Sequence, residues 1–130
     1  MSVPRTKGFV TLISVLILGA VGVAVVVSLI QLGLGSSRTS FATEQSVQAR
    51  GLADACGEQA LDTLRTSPSY TGTTNVTLGQ GTCSFTVTNT GGTTRSLTAV
   101  GTVGTIVRHL TITVATVSPV TLTSWQEVAN

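Results

Sequence analysis

Charge is scarce in this chain: charged residues make up 9% of the 130, and five acids, one histidine and two cysteines are the main groups it offers a metal ion or an acid–base pair. A metal centre draws on clustered His, Cys, Asp or Glu at short spacings. Glu44, Asp54, Glu58, Asp62, Glu127 and the single His109 are too scattered for that. The glycine-rich pieces lack the Lys-Ser/Thr tail of a phosphate-binding loop. The expectation is therefore no catalytic residue, no cofactor and no metal, hence no enzyme. Aromatic residues are equally few, at 4%, so any folded domain has a thin core. What the chain does have is a long apolar run near its start.

Residues 9–30 contain no charge and are rich in Val, Leu and Ile. As a helix, about 22 residues span roughly 33 Å, enough to cross a hydrocarbon core of about 30 Å. Thr11, Ser14 and Ser28 are its hydroxyls, and each can bond back to a helix carbonyl. Arg5 and Lys7 precede the run, which places the N-terminus in the cytoplasm and everything after about Gly35 outside. The alternative is a secretory signal peptide cut near Ser40-Phe41-Ala42. Such signals carry apolar regions of about 7–15 residues, and this run is longer and ends well short of that site.

Lys7-Gly8-Phe9, followed by Thr11-Leu12-Ile13 and a long apolar helix, resembles the class III signal of type IV prepilins and pseudopilins. The resemblance implies a bacterial inner-membrane precursor with one span. A prepilin peptidase would cut between Gly8 and Phe9 and leave Phe9 N-methylated. The chain would then divide into a leader (1–8), a transmembrane and assembly helix (9–34), an amphipathic continuation (35–67) and a sheet region (68–130) that forms one globular domain with 36–67. In a filament core, Phe9, Leu12, Leu16, Gly19, Ala20 and Val23 would pack against neighbouring helices, with the thin stretch from Gly19 to Ala24 allowing close approach. The family usually carries a glutamate shortly after the cut, thought to pair with a neighbour's amino terminus. This chain has none: Val10 precedes Thr-Leu-Ile, Ser14 stands where the acid would follow, and the first acid is Glu44.

Beyond the span the helix is expected to continue, with a bend or local melting at Gly33-Leu34-Gly35-Ser36-Ser37 because glycine is a poor helix former. Phe41, Val47, Leu52, Ala55, Cys56, Ala60 and Leu64 are then the expected apolar face. Asp54, Glu58 and Asp62 form an acidic ridge at four-residue spacing, read as a solvated face. Pro68 ends the helix.

From about Thr73 short runs of Thr, Val, Ile and Leu alternate between glycine clusters, which reads as antiparallel strands and hairpins. The runs are 75–78, 82–88, 95–103, a stretch carrying Leu110, Ile112 and Val114 on one face, and 120–128. Gly101 and Gly104 suggest a turn or bulge. A sheet with one apolar face needs a partner, and the amphipathic helix is available. The expected class is α+β: a long N-terminal helix packed on an antiparallel sheet of about four strands, which is also what the resemblance implies.

Cys56 on the helix and Cys83 on a strand are expected to pair, since an extracytoplasmic location permits oxidation. The alternative, a reactive thiol, needs a base, and His109 alternates onto the face opposite Leu110. Asn75-Val76-Thr77 matches a glycosylation sequon and is expected to be unused in a bacterial host. Arg95, Arg108 and His109 could form a modest basic patch on neighbouring strands, too small to predict DNA binding. Trp125 is expected to pack the last strand on the helix or to face a neighbouring subunit, with Glu127 a partner for Arg38 or Arg50 of another copy.

Three functions fit. The first is a structural subunit of a type IV pilus-like filament, its mature form extracellular, with copies of itself, other pilins, the peptidase, the assembly machinery and the membrane as partners. The second is a pseudopilin of a secretion or DNA-uptake apparatus. The third is a single-pass anchored binding domain that never assembles.

Overall fold

The computed structural model of the protein describes residues 6–129. It contains one helix, α1 (Thr6–Thr66), and five strands: β1 (Gly72–Leu78), β2 (Gly81–Gly91), β3 (Thr94–Val103), β4 (Ile106–Val117) and β5 (Val120–Val128). The class is α+β, and the sheet has five strands because both the 75–78 run and the terminal 120–128 run join it. The chain divides into two compact units, one up to Phe41 and one from Ala42 onward.

In the first unit α1 is unbroken, and residues 33–37 are helical, so the expected melting does not occur. Each glycine costs about 1 kcal/mol in a helix, too little to interrupt a segment flanked by strong helix formers. The Thr39 hydroxyl also donates to the Gly35 carbonyl at 3.1 Å, satisfying a group within the weak stretch.

The second unit is an antiparallel meander in the order β1-β2-β3-β4-β5. Three of its four hairpins are built alike. Gly79-Gln80, Gly92-Thr93 and Gly104-Thr105 each place glycine first, with φ of 60°, 55° and 60°. A positive φ at that position suits the right-handed twist of the flanking strands and strains a residue with a Cβ. The last hairpin turns at Ser118-Pro119, whose peptide bond is cis.

Alternation sends one set of strand side chains toward α1. Cys83, Phe85, Val87, Leu97, Ala99, Leu110, Ile112 and Val114 are buried there against Ala53, Cys56, Ala60 and Leu64 of the helix. The covering face of α1 differs from the expected one. Phe41 and Val47 are 63% and 67% exposed and Ala55 is exposed, whereas Ala49 and Ala53 are buried. The reason is the closeness of the layers. A Cβ at Gly101 would collide with the Ala49 carbonyl and the Ala53 nitrogen, so the helix backbone rests directly on β3. Gly101 is thus a mid-strand contact point rather than a turn. Only small residues fit the overlying helical row of Ala49, Ala53 and Gly57. Pro68 behaves as expected: α1 ends at Thr66, with Ser67 N–H closing onto the Thr63 carbonyl at 2.8 Å.

The opposite sheet face is tiled with hydroxyls. Register places Thr73, Thr86, Thr98 and Thr111 side by side across four strands. A second row runs Thr88, Ser96, Thr113, Ser124, and a third Thr77, Thr82, Thr102. Between them lies Asn75, Ser84, Val100, His109.

Candidate functional site

The apolar segment of α1 is a helix with nothing covering it. The window that is long and apolar enough to cross a membrane is 0% buried, whereas a core helix of a soluble protein is mostly covered by its own chain. Phe9, Leu12, Leu16 and Val23 are all exposed, and a Cβ added at Gly19 or Gly22 would meet nothing within 4 Å. These residues fall three or four apart and so share one helical side, on which Gly19 and Ala20 leave the backbone accessible. The three hydroxyls are silenced as expected: Thr11 donates to the Lys7 carbonyl, Ser14 to Val10 and Ser28 to Ala24, each at 2.8 Å. The side-chain hydroxyls of the span are therefore all satisfied inside the helix, the condition a hydrocarbon environment imposes. Lys7, Gly8 and Phe9 lie in the first turns of α1. Residues 1–5 of the predicted leader, Arg5 included, lie outside the described residues.

In the second unit Cys56 and Cys83 form a disulfide, with Cα atoms 6.1 Å apart. It joins α1 to β2 at the centre of the core, where both residues are buried, and so excludes the alternative of a reactive thiol.

The expected basic patch is not assembled. Arg95 pairs with Val114 and Arg108 with Gly101 across the β3–β4 ladder, toward opposite ends of it. Arg95 is 6% exposed and faces the helix side. Its Nη1 donates to Asn89 Oδ1 at 3.0 Å and to the Gly92 and Thr94 carbonyls at 2.9 Å, and its Nη2 donates to the Pro68 carbonyl at 3.1 Å. Among the described residues no carboxylate faces it; neutral oxygens carry the charge, and Nε has no partner. Arg95 thus staples the β2–β3 hairpin to the segment leaving α1. The signal was present in the sequence, because Arg95 shares the parity of Leu97, Ala99 and Val103 on an inward-facing strand.

Glu127 pairs within its own chain, with one of the two arginines named for it. Its carboxylate sits between Arg50 Nε at 3.3 Å and Arg108 Nη1 at 3.4 Å. Arg108 also donates to Ser46 Oγ. Beside this cluster the Trp125 ring reaches over Gly57, so Trp125 packs β5 on the helix while remaining 39% exposed.

No protein-family model, curated protein or solved structure matches this chain.

Proposed function

We propose that the protein is a structural subunit of a type IV pilus-like filament, made as a single-pass inner-membrane precursor and assembled outside through its N-terminal helix. The observation that carries this reading is a fully uncovered apolar helix, internally satisfied in its side-chain hydroxyls, that follows Lys7-Gly8-Phe9 and belongs to the same α1 whose later residues pack on a disulfide-linked sheet. A lipid anchor alone needs apolarity. The run of Gly19, Ala20, Gly22 and Ala24 adds a place where another helix can approach closely, which suits storage in a bilayer followed by packing against copies of itself and other pilins.

Prepilin peptidase would act at Gly8-Phe9, removing Arg5 and Lys7 and with them the formal net charge of +2. A helix with no acid before Glu44 inserts without a buried carboxylate, but brings no partner for a neighbour's amino terminus. That favours a minor subunit, added to a filament whose other members supply the pairing charge.

Intact-mass and N-terminal analysis of protein from the native membrane and from sheared surface material tests the reading. A chain starting at methylated Phe9 is expected. A chain retaining Met1 to Gly8 in both fractions means an anchored domain, and one starting at Thr43 means a secreted soluble domain.

A further inference from the structure

We propose that β5 is an exchangeable strand: it lifts from the sheet as a unit, and the β4 edge it uncovers accepts β5 of a second copy. The proposal rests on copies sharing a membrane, which the filament and the anchored-domain readings both provide, and not on assembly through the N-terminal helix.

β5 puts almost nothing into the core. None of its nine residues is buried and seven are exposed, whereas β4 beside it buries Leu110, Ile112 and Val114. Those three belong to the cluster that includes Ala53, Cys56 and Ala60 of α1, so they keep their helix contacts when β5 leaves. The ladder to β4 is also interrupted, with register shifts between Thr113 and Val114 and again between Val114 and Thr116. A cavity of about 100 Å³ lies at the Trp125–Glu127 end of the strand, lined also by Arg50, Ala53, Asp54 and Arg108. A segment with few buried apolar contacts, a broken ladder and a void beside it opens at a lower free energy than the sheet centre.

The opposite edge shows that edge position alone does not produce this. β1 pairs with β2 over all seven residues without a register shift. Tyr70, just before it, packs its ring 6.5 Å from that of Phe85 and shares a 2.7 Å hydrogen bond with Thr74. Val76 packs on the core opposite Cys83, whose disulfide fixes β2 to α1.

Away from its turn, two side chains hold β5 beyond the ladder: Trp125 over Gly57, and Glu127 between Arg50 and Arg108. The ion pairs are partly exposed and so contribute modestly. Opening leaves a row of unpaired β4 backbone groups, the glycine notch without its indole and two arginines without their carboxylate. An open edge is a template for another strand. The structure shows which sequence fits this one in all three respects, namely β5 itself: Trp125 lies opposite Ile112 and Glu127 opposite Leu110. β5 of a second copy reproduces each of these contacts, and only the Ser118-Pro119 connection takes a new path. Copies anchored side by side in a bilayer meet at high effective concentration.

The test uses the full chain in phosphatidylcholine vesicles. Two differently tagged forms, one carrying Thr111→Cys and the other Gln126→Cys, are co-reconstituted; these positions face each other across β4 and β5. In closed copies neither new thiol has a partner, so a mixed-tag disulfide dimer after brief oxidation reports exchange. The dimer is expected to grow with incubation time before oxidation. Glu127→Gln in both forms should hasten that growth severalfold without raising the plateau, because closed and exchanged copies lose the same ion pairs. Thr98→Cys with Gln126→Cys measures chance collision, since Thr98 lies one strand further in, on β3. A yield no higher than that of the Thr98 pair overturns the proposal. Hydrogen–deuterium exchange of the unsubstituted chain keeps the test decisive should a cysteine form misfold. The β5 amides that bond to β4 are expected to exchange on the order of tenfold faster than the β1 amides that bond to β2. Equal protection at the two edges overturns the proposal.

Discussion

Gly101 on β3 lies directly beneath the carbonyl of Ala49, with no room between them for a single methyl group. The helix therefore meets the sheet backbone to backbone, and the spacing of the two layers is set by what is missing from the side chains. Gly101→Ala must push α1 away from β3 or bend the strand. Overpacking of this kind costs about 1–3 kcal/mol, and the expected outcome is a Tm lower by on the order of 10 °C in thermal unfolding followed by circular dichroism. An unchanged Tm would mean that the layers are not in contact there.

Arg95 and Arg108 look alike in sequence and should behave differently. Arg95→Met removes four part-buried hydrogen bonds from a side chain that is itself 6% exposed, to Asn89, Gly92, Thr94 and Pro68, and is expected to cost about 1–3 kcal/mol. Arg108→Met breaks a partly exposed ion pair and should cost less than about 1 kcal/mol. Urea titration of the two variants side by side separates them, and equal losses would contradict the buried role of Arg95.

The disulfide closes a loop of about 28 residues, worth very roughly 3 kcal/mol by chain entropy. Because the core holds one phenylalanine and mostly small or aliphatic groups, that is a large share of the domain's stability. Replacing both Cys56 and Cys83 by Ala is expected to shift the urea midpoint downward by a corresponding amount. It should also leave the helical signal of the first unit intact.

Gly19→Leu separates anchoring from assembly. Nothing lies within 4 Å of the added Cβ, so the isolated subunit should insert and fold as before. Under the proposed filament role, close helix packing would be blocked, and the yield of sheared filaments should fall severalfold while the membrane-bound amount stays constant. Equal loss in both fractions would indicate a folding defect instead.

Much of the fold was legible from punctuation. Glycine clusters mark three of the hairpins, period-two alternation marks the strands, and Pro68 marks the helix end. The inward residues Cys83, Phe85, Val87, Leu110, Ile112 and Val114 follow from parity alone. The helix face did not, because the reading favoured large apolar residues. Periodicity ranks Phe41 and Val47 above Ala49 and Ala53, yet how close a helix sits to a sheet is decided by Gly101 on another element. Gly101 itself looks like a turn in its local sequence for the same reason. The inward side of Arg95 follows from parity with Leu97, but its partners and the threonine rows need register, since neighbours across a sheet are set by hairpin loop lengths and not by position along one strand. Of the candidate site, the apolar run and its back-bonded hydroxyls were readable from composition, whereas the separation of Arg95 from Arg108 was not.

The simple meander order carries a kinetic consequence. Every strand pairs with its sequence neighbour through a short turn, so each step of sheet formation closes only a small loop. A chain tethered at its N-terminus can therefore zip its sheet hairpin by hairpin without first searching for distant partners. The one long closure left is the seating of residues 49–64 on the finished sheet, and oxidation of Cys56 with Cys83 makes that last step hard to reverse.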